Sequence, residues 1–119
     1  MKKVNHRIAR INDEIMRVAA EVIRFEMSDP RIGTVVSVTE VKTTTDLKHC
    51  KISVSILDDQ NAEETLKVLA NAAGFVRKRI AETLNLRHTP EITFVPDDSI
   101  AYAMRMHKLI DEVISADED

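Results

Sequence analysis

Glycine is scarce in this sequence, with Gly33 and Gly74 its only two, set far apart. Neither the dinucleotide-binding G-x-G-x-x-G, nor the phosphate-cradling P-loop, nor the G-x-S-x-G elbow of serine hydrolases can be written with them. The single cysteine, Cys50, excludes an intramolecular disulfide and a cysteine zinc cluster, as suits a reducing compartment. Tryptophan is absent, and the aromatic set is Phe25, Phe75, Phe94 and Tyr102. Apolar runs last only a few residues, against the roughly 18 needed to cross a bilayer, and Met1 to Asn12 holds charges but no apolar h-region. We therefore expect an unprocessed cytoplasmic protein with no membrane partner. A chain of 119 residues supports one core, burying roughly two-thirds of its unfolded surface, and excludes multi-domain enzymes. We expect a single domain over residues 1–114 and an acidic, disordered tail over 115–119.

The charge is unevenly spread. The formal net charge is -3, yet Asp111, Glu112, Asp117, Glu118 and Asp119 close the chain without a base among them. Residues 1–110 hold seventeen bases against fifteen acids, a net of +2. Lys2, Lys3, Arg7 and Arg10 open the chain without an acid, and Arg77, Lys78 and Arg79 form a second cluster, followed by Arg87 and His88. Each cluster alone reads as an ordinary solvated face. Together they allow a positive surface on a chain that is negative overall.

From Val4 to Phe25 the apolar residues Val4, Ile8, Ile11, Ile15, Val18, Val22 and Phe25 step by three and four, the spacing of one helix face. Arg10, Glu14, Arg17, Glu21 and Arg24 lie beside it and can pair along the helix, so only its first turns stay uncompensated. Ser28-Asp29-Pro30 stops the helix. The stretch Thr34 to Thr43 and the alternating Cys50 to Ile56 predict two antiparallel strands joined through Thr44-Thr45-Asp46-Leu47-Lys48, with Cys50 on the inward set as a small buried hydrophobe. Asn61 begins a long helix whose apolar face runs through Leu66, Leu69, Ala73, Val76, Ile80 and Leu84. In a straight helix Arg77 would project near Leu66, and a bend at Ala72-Ala73-Gly74 would relieve that. A straight helix in which the glycine permits close packing is the alternative, and spacing does not separate the two. Pro90 to Pro96 predicts a short edge strand, and Ile100 to about Ile114 a last amphipathic helix.

The order is helix, strand, strand, helix-bend-helix, strand, helix, an α+β arrangement with helices on one face of a three-stranded sheet. His6, His49, His88 and His107 have no second ligand at metal-binding spacing, and no metal or cofactor is indicated. Met104, Met106 and His107 fit core or partner-facing positions of the last helix. Asp58-Asp59 and Asp97-Asp98 stand directly before predicted helices, where capping explains them better than acid–base work. Lysine and arginine attract phosphates without sequence preference, whereas base reading in single strands needs stacking platforms. With Phe25 and Phe94 assigned inward, few platforms remain, and the residues favour recognition of folded RNA by backbone and shape.

Several stretches in order carry a resemblance: Ser28-Asp29-Pro30-Arg31, Val35 to Val41, Thr45 to Ser55, Ala72-Ala73-Gly74-Phe75-Val76-Arg77, Arg87 to Phe94, Asp98-Ser99-Ile100 and Met104-Arg105-Met106. From about Arg7 to Met106 the chain resembles the bacterial ribosome-binding factor A family and, in element order, a type II KH domain. The resemblance implies a non-enzymatic assembly factor that binds the small (30S) ribosomal subunit late in maturation, assists 16S rRNA processing and folding, and serves growth in the cold. It also implies that an alanine-x-glycine bend, here Ala72-Ala73-Gly74, replaces the G-x-x-G loop that clamps nucleic acid in ordinary KH domains. The expected RNA-binding face comprises Lys2, Lys3, Arg7, Arg10, Arg77, Lys78, Arg79, Arg87 and His88, on a protein that is a monomer when free. Two other classes compete. One is a protein-interaction module docking through an exposed amphipathic N-terminal helix. The other is a small hydrolase using Asp58, Asp59 or His88.

Overall fold

A computed structural model describes residues 6–29, 31–57 and 59–97. Helix α1 spans His6–Glu21 and continues as a π-helical segment, Val22–Glu26; a short helix α2, Ile32–Val35, leads into strand β1, Val36–Thr43. Strand β2 is His49–Ile56, helix α3 is Ala62–Thr83 and strand β3 is Glu91–Pro96. The strands form one sheet in the order β1-β2-β3, with β1 antiparallel and β3 parallel to β2. A parallel pair needs a long crossover, and α3 is that crossover. α1 packs over β1 and α3 over β3.

The stripe of α1 goes into the core. Ile11, Ile15, Val18, Ala19 and Val22 are buried, so the helix is a structural layer and not an exposed docking element. The π-helical segment then changes the phase. Its i→i+5 closure widens the turn, so the buried line passes through Val22 and Ile23 and Phe25 falls outside it. The expectation that Phe25 is inward is corrected: it is 74% exposed.

β1 begins at Val36, two residues later than the pattern predicts, because Ile32 to Val35 form a helical turn instead. Within β1 a bulge separates Val38 from Glu40. Strict alternation from Val36 would send Glu40 and Lys42 into the core. The extra residue shifts the parity, so that Val36 and Val41 are both buried while Glu40 and Lys42 remain exposed. Across the sheet Cys50, Ile52 and Val54 of β2 and Ile92 of β3 complete the inner face. Burial pushes the Cys50 thiol up, against a smaller opposing effect from a hydrogen bond with Thr43, which suits an inert thiol.

Two turns use carboxylates. Asp46 accepts from the Thr44 hydroxyl at 2.6 Å and the Lys48 N–H at 3.0 Å, and Leu47 takes the left-handed conformation (φ 61) that closes the hairpin. These bonds hold the Asp46 carboxyl below the usual range, the Thr44 bond first. Asp29 is lowered likewise by Arg31, whose guanidinium and backbone N–H both donate to it. Asp46 and Asp29 are therefore explained by local hydrogen bonding.

Across Ala72-Ala73-Gly74, where a bend is expected, α3 stays helical and runs for 22 residues in all. Its buried residues are Thr65, Leu69, Val76 and Ile80, within about 40° of Leu69 at 100° per residue. Leu66 is only half-buried, so the stripe is centred away from it and Arg77 stands at the stripe's margin without conflict. Nor does Gly74 allow close packing: a Cβ there would meet nothing within 4 Å. Gly33 is the opposite case. A Cβ there would stand 3.0 Å from the Arg24 carbonyl oxygen and 3.2 Å from that of Ile23, so α2 rests on the backbone of the π-helical segment.

The glycines should therefore respond in opposite directions to alanine. We predict that Gly33→Ala lowers stability by about 1–3 kcal/mol, the usual cost of overpacking. Gly74→Ala should raise it by about 0.5–1 kcal/mol through helix propensity. Thermal or urea unfolding of the two variants checks both signs.

Candidate nucleic-acid interface

The rotation of α3 is set by its buried stripe, and that rotation sorts its charges. Gly74, Arg77, Lys78 and Ala81 follow one another at i, i+3, i+4 and i+7, about 80° to 180° round from Leu69. They form one exposed flank. Val68, Phe75 and Arg79 lie about 80° to 120° round in the other sense, on the side of the π-helical segment.

On the first flank the loop between α3 and β3 returns alongside the helix. Leu84 and Pro90 are buried and pin its two ends, and the Arg77 guanidinium donates to the Thr89 carbonyl at 3.0 Å. A shallow open depression results, lined by Gly74, Arg77, Lys78, Arg87, His88 and Thr89 together with Ala81. Among the described residues no carboxylate lines it. Four of the expected binding residues, Arg77, Lys78, Arg87 and His88, are thus brought together, with Gly74 leaving the helix backbone bare beside them. The arrangement suits an extended anion such as a phosphate backbone: cations spread over a surface, no deep pocket and no enclosing walls.

Arg79 goes elsewhere. Its Nη1 lies 3.2 Å from Glu82 and its Nε 3.3 Å from Glu26, although the Nε contact lacks hydrogen-bonding geometry. Glu82 first and then Glu26 raise its pKa, and the side chain ties α3 to the end of the π-helical segment. Ala72 and Ala73 are half-buried, Ala73 against the core and Ala72 beside Met27 and Phe75. Arg7 and Arg10 are exposed on the first turns of α1 and do not line the depression. Lys2 and Lys3 lie outside the described residues, as do Asp58, the helix expected over 100–114, Met104, Met106, His107 and the tail 115–119.

The pattern of the sequence did not reveal that Phe25 and Phe75 are exposed, at 74% and 43%. Neither lines the basic depression, so that depression has no stacking platform of its own among the described residues. Among the described residues no group of three His, Cys, Asp or Glu side chains could hold a metal ion, and no helix is long and apolar enough to cross a membrane.

Comparison with known proteins places the chain as a whole. The family model of Ribosome-binding factor A matches residues 7–110. The Ribosome-binding factor A of Clostridium beijerinckii is 45% identical over 116 residues, which cover 96% of this chain and 98% of that protein. The solution structure of a Thermotoga maritima protein assigned as a ribosome binding factor A superposes with a TM-score of 0.70 at 30% identity, covering 83% of this chain and 94% of that one. A Thermus thermophilus ribosome binding factor A, fitted as a homology model into a cryo-EM map of a 30S–RbfA complex, shares the fold. Its TM-score is 0.61 at 22% identity, over 76% of this chain and 96% of that one. The observed α+β architecture is consistent with the KH-like fold that the element order suggested. With nearly its whole length matched, the chain belongs to the ribosome-binding factor A family.

Proposed function

We propose that this protein binds the small ribosomal subunit through rRNA contacts made at the basic depression on α3, acts late in subunit maturation and catalyses no reaction. The observation that carries the reading is the one-signed lining of that depression, Arg77, Lys78, Arg87 and His88 around Gly74. Family membership supports it, as does the 30S complex into which the Thermus relative is fitted. Assistance to 16S rRNA processing and folding, a part in growth in the cold, a cytoplasmic location and a monomeric free state complete the proposal.

The physics favours backbone recognition. Cations on an open surface neutralise phosphates and release counterions, and the gain is independent of base sequence. Gly74 adds a second element: without a Cβ, the flank of α3 lets a sugar–phosphate chain come close to the helix backbone. The same glycine that costs the helix stability would then be retained for what it lets approach. Arg7 and Arg10 would extend the contact only where the RNA reaches α1.

Co-sedimentation with purified small subunits tests the proposal. Binding should weaken as salt rises, with a log–log slope of roughly -2 to -3 if about three phosphates are neutralised. The combined Arg77→Glu, Lys78→Glu, Arg87→Glu variant should bind at least about tenfold more weakly and lose no more than about 1.5 kcal/mol of stability, the order of the one exposed hydrogen bond from Arg77 to Thr89. Arg79 is left out because reversing it would set three carboxylates together and confound the readout. Gly74→Ala should weaken binding although it stabilises the fold. Undiminished binding of the triple variant would remove the site, and salt-independent binding would remove the phosphate mechanism.

A further inference from the structure

Among the described residues β1 is an edge strand, with β2 its one partner in the sheet. The direction of its backbone groups follows from the alternation of an antiparallel pair. The Leu57 N–H donates to the Val35 carbonyl at 2.9 Å, so Val35 faces β2; Ser37, opposite Ser55, faces it in turn. Val36 and Val38 therefore turn their backbone groups away from the sheet. Val54, opposite Val38, agrees with this phase, since its carbonyl accepts from Asp97 on the β3 side at 2.7 Å. The Val36 N–H is used by the Ile32 carbonyl at the end of α2. What remains directed outward is the Val36 carbonyl and both the N–H and carbonyl of Val38, a short ledge that the bulge before Glu40 brings to an end.

Sheet edges are commonly guarded by charge or distortion. The second half of β1 has both: the bulge, and Glu40 with Lys42 at 3.5 Å. Its first half has neither, since no residue from Thr34 to Thr39 is charged. Along that unguarded half runs a groove whose opposite wall is Arg17, Ala20, Glu21, Arg24 and Phe25. Ala20 leaves a gap between the two arginines. Phe25 stands exposed at the groove with the Arg24 guanidinium 5.8 Å from its ring centroid. Two arginines against one glutamate give the wall an excess positive charge.

We propose that this groove binds an extended, acidic peptide segment of another protein, which adds a strand to the free half of β1. The ledge selects an extended backbone, because its outward N–H and carbonyl groups can be met together only by another strand. The wall selects the side chains. Alternate residues of an added strand face the helix layer, and carboxylates at those positions meet Arg17 and Arg24, whose guanidinium already lies over the Phe25 ring. The bulge limits the match to a few residues. This site shares no residue with the basic depression on α3, and its fate is independent of the RNA-binding reading.

The test uses the full-length protein, labelled with nitrogen-15, and an acetylated, amidated pentapeptide alternating valine with glutamate. Addition of the peptide should shift the amides of Arg24, Phe25 and Val38 and slow hydrogen exchange at Val38. Arg24→Glu, an exposed change whose folding is checked by its melting temperature, should weaken peptide affinity at least tenfold, whereas Arg77→Glu should leave it within twofold. Absence of shifts at millimolar peptide, or shifts indifferent to Arg24→Glu, would overturn the proposal. So would a sedimenting dimer whose Val38 amide is already protected, which would give the ledge to a second copy. A single-stranded RNA that displaces the peptide from the same amides would assign the groove to nucleic acid and overturn it too.

Discussion

A parallel pair of strands cannot be joined by a hairpin, and that constraint organises this molecule. β2 and β3 run the same way, so the chain must cross the sheet between them, and α3 makes the crossing. To do so it has to bury one stripe, Thr65, Leu69, Val76 and Ile80, against the inner face of the sheet. Once that stripe is fixed, every other residue of the helix has its direction assigned. Gly74, Arg77 and Lys78 are delivered to the side where the loop before β3 returns, and Arg79, one residue further, is delivered to Glu26 on the opposite side. A run of three adjacent cations is thereby divided between an exposed basic depression and a structural ion pair.

This division explains what the sequence could and could not reveal. The stripe of α1, the alternation of Cys50, Ile52 and Val54, and the proline-bounded β3 were legible because each is a short-period pattern that burial enforces locally. The cationic residues of the depression were legible as a cluster, since Arg77, Lys78, Arg87 and His88 are close in sequence. Arg79 was not separable from them, because its role depends on Glu26, a residue more than fifty positions away in the chain. No local pattern encodes that meeting.

Other features were hidden for different reasons. The π-helical segment and the bulge in β1 each change the phase of a periodic pattern by about one residue. In the sequence Phe25 completes a stripe and Glu40 interrupts one. In the structure Phe25 has left the stripe and Glu40 has been turned outward so that Val41 can replace it. Gly33 shows its purpose only when the Arg24 backbone is beside it, and Gly74 only when the space around it is seen to be empty. Gly74, where a bend is expected, is a bare position within a continuous helix.

The most direct test of this account compares two neighbours, Arg77→Glu and Arg79→Glu, for melting temperature and for binding to small ribosomal subunits under the same conditions. The account predicts that the changes separate: Arg77→Glu weakens binding and lowers the melting temperature only by the loss of its exposed hydrogen bond to Thr89, whereas Arg79→Glu lowers the melting temperature further, by breaking the tie to Glu26 and setting three carboxylates together, and leaves binding close to that of the parent. If both variants lose binding equally without loss of stability, the two arginines act as one surface cluster, and the sorting of charges by the rotation of α3 is contradicted.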